Sequence, residues 1–107
     1  MKMFVKAELF ESIIAPEAIS SIREEVRQQI QRISHSGKLE SGWAFADHRC
    51  VCFIVNADSP YEVMDLLGNT FVDHFRLETH PIVSLEELGK FFEEHQLVGS
   101  EVATADA

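Results

Sequence analysis

The 107-residue sequence has no long apolar run and little positive charge. No stretch approaches the roughly 20 apolar residues that span a bilayer, and the first ten residues carry charges rather than a signal-peptide pattern. Nine lysines and arginines stand against eighteen aspartates and glutamates, which gives a net charge of −9. Nucleic acids and anionic membranes require clustered positive charge. We therefore expect neither of these partners and predict a cytoplasmic protein.

Cysteine is also scarce, because the chain has only Cys50 and Cys52. On a strand these two side chains would share a face, with Cα atoms roughly 6.5–7 Å apart, which is at the limit for an unstrained disulfide. We expect two reduced, packed thiols.

No spacing of histidine, cysteine and carboxylate residues is typical of a metal site, and phosphate loops and nucleophile elbows are lacking. The sequence thus predicts no metal and no cofactor.

The first half of the chain shows clear periodicity. Residues 3–10 alternate between two faces, which predicts a strand. Isoleucine and valine recur every three or four residues between Pro16 and Gly37, which predicts a long amphipathic helix. Residues 39–45 and 49–56 are predicted as two strands of a hairpin that turns at residues 46–48.

The second half opens with a capping box. Ser59 and Glu62, with Pro60 between them, predict a short helix that ends at Gly68 and Asn69. Residues 71–79 are predicted as the fourth strand, which Pro81 ends. A second capping box at residues 84–87 predicts a C-terminal helix. We interpret residues 1–97 as one domain and residues 98–107 as a disordered acidic tail.

This order of elements predicts an α+β protein with a ferredoxin-like βαββαβ fold and an extra C-terminal helix. Right-handed crossovers place both helices on one face of a four-stranded antiparallel sheet. We expect strand four beside strand one, then strand three, with strand two outside. The other face carries Phe4, Phe10 and Trp43 and should not stay exposed. We expect the same face of a second chain, or the C-terminal helix, to cover it.

Three motifs follow one another in the second half: Ala46-Asp47-His48 before an apolar strand, Ala57-Asp58-Ser59 before a helix, and Phe75-Arg76-Leu77-Glu78 before His80-Pro81. In this order they resemble the muconolactone-isomerase-like branch of the dimeric α+β barrel superfamily. The resemblance implies a homodimer or higher homo-oligomer whose facing sheets form a barrel with a pocket in each half. It also implies proton transfer on a small lactone or carbonyl ligand, as in an isomerase.

Ionisable side chains cluster on the two strands that should pair. The first strand offers Lys6 and Glu8, and the fourth strand should offer, on the same sheet face, His74, Arg76, Glu78 and His80. A carboxylate in a half-apolar pocket can move protons near neutral pH. We therefore predict Glu8 or Glu78 as the base, with His74, Arg76 or His80 steadying the enolate oxygen. The residues predicted to contact the substrate are Phe4, Lys6, Trp43, His48, Arg49 and His80.

Other interpretations of the same residues stay open. The charges are also consistent with cross-strand ion pairs that only support the sheet. The chain could serve as a ligand-binding or assembly module without turnover. It could also be a relative of haem-handling or cofactor-free monooxygenases, with His74 as the candidate axial ligand. The mixture of polar and aromatic side chains on one sheet face, together with the resemblance, favours the enzyme over the binding module.

Overall fold

The computed structural model describes residues 1–95 as a βαββαβ unit followed by a third helix. The predicted boundary at residue 97 and the predicted tail at 98–107 lie outside the described residues. The elements in chain order are β1 (Lys2–Leu9), α1 (Pro16–His35), β2 (Leu39–Ala44), β3 (Cys50–Asn56), α2 (Pro60–His74), β4 (Phe75–Ile82) and α3 (Leu85–Glu94).

The four strands form one antiparallel sheet in the order β2-β3-β1-β4, which confirms the predicted topology. β1 lies in the centre, so that Lys6 stands opposite Cys52 of β3 on one side and Glu78 of β4 on the other. The alternating side chains of β1 are buried at every second position. One sheet face is therefore sealed and the other is open.

Helices α1 and α2 seal the first face and form the core with it. Phe71 of α2 is fully buried between Phe53 and Phe75, whose ring centroids lie 5.8 and 5.0 Å away. No buried polar or charged residue interrupts this core within the described residues. The core residues are Met3, Val5, Ala7, Leu9, Ile22, Ile33, Phe53, Val55, Ala57, Val63, Leu67, Phe71 and Phe75.

The prediction that α2 ends at Gly68 and Asn69 is wrong. The helix kinks at Gly68, where φ is 78° and ψ is 179°, and then continues to His74. Non-glycine residues rarely adopt this conformation. The Gln29 side-chain amide of α1 donates a 2.9 Å hydrogen bond to the Leu66 carbonyl beside the kink. Because Phe71 reaches the core from the helical extension, β4 begins at Phe75 rather than at residue 71.

Pro81 does not end the fourth strand as predicted. β4 continues to Ile82, and Pro81 stands opposite Met3 in the ladder with β1. β4 is the edge strand of the sheet. Proline is tolerated there because an edge strand has no second neighbour that requires its missing N–H.

Helix α3 projects from the sheet without burying any of its own residues. It begins with the predicted capping box, in which Ser84 and Glu87 bond reciprocally. Its apolar side chains stay exposed, with Leu85, Phe91 and Phe92 at 86, 52 and 61%. The C-terminal helix of the same chain, one of the two predicted covers, therefore does not shelter the open face. None of the helices within residues 1–95 has the length and hydropathy needed to cross a membrane.

Candidate functional site

Three rows of side chains on the open face, next to a fourth row that contains Lys2, run across the strands and make up the candidate site. The ladder registers define these rows, because residues opposite each other in an antiparallel pair share a face. From the β2 side to the β4 side the rows are Ser41-Ile54-Phe4-His80, Trp43-Cys52-Lys6-Glu78 and Cys50-Glu8-Arg76. The structure thus brings together Lys6, Glu8, Arg76, Glu78 and His80, which the sequence analysis nominated.

An aromatic cluster lies at one end of this face. The Phe4 ring is 6.5 Å from Trp43 and 6.4 Å from the His80 imidazole, measured between ring centroids. Trp43 remains 47% exposed. These rings form an aromatic surface beside the charged rows, which suits a small planar ligand or a second protein surface.

His74 does not belong to this face, contrary to the sequence analysis. It is the last residue of α2, and its Nδ1 atom lies 3.0 Å from the Thr70 carbonyl oxygen in the same helix. The kink at Gly68 extends the helix through this position, so the alternation of β4 starts only at Phe75. His74 is therefore not placed beside Arg76 and Glu78 as a helper.

The two candidate bases differ in their surroundings. Glu78 contacts His80 of its own strand at 3.0 Å, and this hydrogen bond lowers the pKa of the Glu78 carboxyl group below its usual range. A lower pKa makes a weaker base. The Glu8 side chain is 28% exposed, against 55% for Glu78. Glu8 is therefore the better placed of the two for proton transfer.

Glu8 is paired with a histidine from the β2–β3 turn. The Oε2 atom of Glu8 lies 3.8 Å from Nε2 of His48. The turn is closed by a 3.0 Å bond from the Phe45 amide to the Cys50 carbonyl, and the Cys50 amide donates to the His48 carbonyl at 2.9 Å. These bonds fix the backbone that carries His48.

The imidazole of His48 is also held by its neighbours. Its Nδ1 atom lies 2.9 Å from Oδ1 of Asp47, and the Phe45 ring packs edge-on against it with centroids 4.8 Å apart. The Lys6 ammonium lies 5.8 Å from the centre of the same Phe45 ring. A histidine oriented by a carboxylate on one nitrogen presents its other nitrogen in a defined direction, here toward Glu8.

Cys50 completes this corner of the face and was not nominated from the sequence. It stands opposite Glu8 in the β1–β3 ladder and is buried, and neither it nor Cys52 forms a disulfide. Burial, with a smaller contribution from Cys52, raises the pKa of the Cys50 thiol to about 11. Asp47 was missed as well. Glu8 and Cys50 are far apart in the sequence, and only the register between β1 and β3, which the sequence does not determine, brings them together.

Two of three cavities found among the described residues flank His48. One of about 240 Å³ is lined by His48, Arg49 and Cys50 together with apolar residues of α1. A second, of about 540 Å³, is lined by Glu8, His48 and Arg49 near the end of β1. A third, of about 390 Å³, lies between α2 and β4. His48 and Arg49, nominated as substrate contacts, thus line two of them.

Comparison with known proteins supports the fold alone. No family model matches the chain, and no curated protein matches it in sequence. Among solved structures, the crystal structure of muconolactone isomerase at 3.3 Å resolution superposes with a TM-score of 0.61 and 15% sequence identity. The match covers 78% of this chain and 90% of that one. The chain therefore has the ferredoxin-like fold of muconolactone isomerase, as the resemblance in sequence implied.

Proposed function

We propose that the protein is a small-molecule isomerase that transfers a proton on a lactone or carbonyl substrate at the open face of its sheet. Its fold is that of muconolactone isomerase, and a fold by itself fits many functions. The observation that carries the proposal is therefore the pair of Glu8 and His48, whose side chains lie 3.8 Å apart beside two cavities.

Glu8 would act as the base that removes a proton from carbon next to the carbonyl group. Its carboxylate is half-buried, and His48 can receive the proton from it because the two groups face each other. Asp47, on the far nitrogen of His48, would stabilise the imidazolium that forms. The proton could then return to a different carbon of the substrate, which is the net change in an isomerisation.

The remaining nominated residues would bind the substrate. Arg76, which stands opposite Glu8 in the ladder, would stabilise negative charge on the enolate oxygen. Lys6 and Arg49 would attract an acidic substrate, and the rings of Phe4, Trp43 and His80 would form an apolar wall.

The complete site would form in a homodimer. The open face exposes Trp43, and α3 exposes a row of apolar side chains, so each chain has two uncovered apolar surfaces. A stable dimer needs about 1,200–2,000 Å² of buried surface, which facing sheets with α3 packed around them would supply. Such a dimer would enclose the open face and exclude water from Glu8. Its buried thiols suit the reducing cytosol.

The test uses proton exchange, because this step can be followed without knowing the natural substrate. Muconolactone and simple unsaturated lactones are incubated with the full chain in D₂O, and deuterium uptake next to the carbonyl is measured by NMR. We expect Glu8→Gln to slow exchange by about 10²–10⁴-fold, the usual contribution of a general base. Glu78→Gln should have a far smaller effect, and Glu25→Gln on the outer surface of α1 is the matched control.

Three results would contradict the proposal. The first is exchange that is lost in Glu78→Gln and kept in Glu8→Gln. The second is lactone binding, measured by Trp43 fluorescence, without any deuterium uptake, which would indicate a binding module. The third is equal loss in all three variants, since Glu25 lies outside the site.

A further inference from the structure

Three different metal-binding donors meet at the end of β1. A carboxylate oxygen of Glu8, a ring nitrogen of His48 and the sulfur of Cys50 all lie within 4.8 Å of one another. Within residues 1–95 they form the one such group of three or more histidine, cysteine and acidic side chains. They come from β1, from the β2–β3 turn and from the start of β3.

The spacing of these donors is close to that around a bound ion. Zinc takes nitrogen and oxygen ligands at about 2.0–2.2 Å and sulfur at about 2.3 Å in a tetrahedron, which separates neighbouring donors by roughly 3.3–3.8 Å. The Glu8 Oε2 and His48 Nε2 atoms lie 3.8 Å apart. Small side-chain rotations would therefore bring the three donors around one ion, without moving a strand.

The outer contacts of His48 fit a metal ligand. Metal-binding histidines commonly donate their second N–H to a carboxylate, which fixes the tautomer and the direction of the ring. Here Nδ1 lies 2.9 Å from Oδ1 of Asp47. With the proton on Nδ1, the lone pair of Nε2 faces the Glu8 carboxylate, so two acceptors point at each other. Either a second proton or a metal cation is needed between them.

From this geometry we infer that Glu8, His48 and Cys50 bind one divalent zinc-like ion, with a fourth position open toward the neighbouring cavities. Thiolate and imidazole ligands favour Zn²⁺ or Co²⁺ over Mg²⁺ and Ca²⁺, which prefer all-oxygen sites. Cys50 loses its proton to solvent when its sulfur coordinates the ion. The cavities that His48 lines give the ion a path to the site.

Metal binding stands apart from the proposed isomerisation. A Glu8 that coordinates an ion cannot also accept a proton from a substrate, so proton transfer belongs to the metal-free chain. Cys50→Ser separates the two, since it removes a metal ligand and leaves both Glu8 and His48 in place.

The experiment is a titration of the reduced full chain with Co²⁺, followed by absorption spectroscopy without substrate. We expect a thiolate-to-cobalt charge-transfer band of one-to-one stoichiometry, which Zn²⁺ then abolishes by displacement. Cys50→Ser should remove the band. Cys52→Ser is the matched control, because Cys52 is a buried thiol on the same strand and face, and it should keep the band.

The histidine and its carboxylate are tested in the same way. His48→Ala should abolish tight binding, whereas His35→Ala at the end of α1 should not change it. Asp47→Asn should weaken Co²⁺ affinity by about 10–100-fold, the usual effect of removing an outer partner. The inference is overturned if the unaltered chain gives no charge-transfer band at millimolar Co²⁺. It is equally overturned if Cys50→Ser and Cys52→Ser behave alike.

Discussion

The two faces of the sheet differ in the kinds of side chain that they carry. The face under α1 and α2 is apolar except for Thr79, and its side chains such as Val5, Ala7 and Val55 are inaccessible to solvent. The open face mixes aromatic rings with Lys6, Glu8, Arg76 and Glu78. One face can therefore account for folding through burial alone. The other contains charged groups that folding does not require, and we place function there.

The largest expected effect lies on the sealed face. Phe71→Ala removes a fully buried ring that contacts Phe53 and Phe75. We expect a loss of about 3–5 kcal/mol in the free energy of unfolding, measured by urea denaturation. Tyr61→Ala, at an aromatic residue of the same helix that is 81% exposed, should change stability little. Similar losses in the two variants would mean that the core has been misplaced.

The next effect concerns assembly rather than folding. Trp43→Ala on the open face should weaken dimerisation by about 2 kcal/mol or more, as the loss of a central aromatic anchor usually does. The unfolding of the monomer should hardly change, because Trp43 is 47% exposed in the single chain. Analytical ultracentrifugation gives the dissociation constant, and Tyr61→Ala again serves as the control. If Trp43→Ala dimerises as well as the unaltered chain, the open face is not the dimer interface, and the proposed difference in role between the two faces is wrong.

A third effect tests the burial of Cys50 on the otherwise open face. Since burial raises the pKa of this thiol from 9.0 to about 11, the folded state resists ionisation that the unfolded state permits. The contribution of the protonated Cys50 thiol to the free energy of unfolding is complete below pH 9 and is lost as the pH rises toward 11. We expect the unaltered chain to lose on the order of 2 kcal/mol more than Cys50→Ser between pH 8 and pH 11. Parallel pH profiles of the two proteins would show that the thiol is accessible.

The smallest effect is expected at the exposed pair of Glu78 and His80. The hydrogen bond from His80 lowers the pKa of Glu78, so its stabilisation is present above the normal carboxyl range and disappears as the pH falls through the lowered value. Exposed pairs contribute little. Glu78→Gln should therefore leave the urea midpoint at pH 7 nearly unchanged and should flatten its dependence slightly below pH 5. A marked loss of stability at pH 7 would make the pair structural.

The sequence was informative where local chemistry decides the structure. Alternation in β1, the isoleucine stripe of α1 and the capping box of α3 each predicted the element observed. It was misleading at residues 71–74, where phenylalanine and valine favour a strand. In the structure Phe71 is fully buried in the core as part of a helix. Gly68 adopts the backbone conformation of the kink that joins this helical segment to the one before it.

The candidate site was only partly predictable for a different reason. Glu8, Arg76 and Glu78 were found because alternation along two paired strands determines which side chains share a face. His74 was misplaced because its position depended on where β4 begins. The cluster of Glu8, His48 and Cys50 was missed because it depends on the register between β1 and β3 and on the shape of the turn that precedes β3. Neither of these can be derived from residue spacing.

Trp43 allows the central claim, that a second chain shelters the open face, to be tested directly. It is the only tryptophan in the sequence, so its fluorescence reports on this face alone. Iodide quenching is measured across a dilution series while light scattering gives the mass. We predict a dimer at high concentration with Trp43 protected from iodide, and a parallel gain in quenching as the dimer dissociates. A chain that stays monomeric at high concentration, with Trp43 freely quenched throughout, would contradict the account.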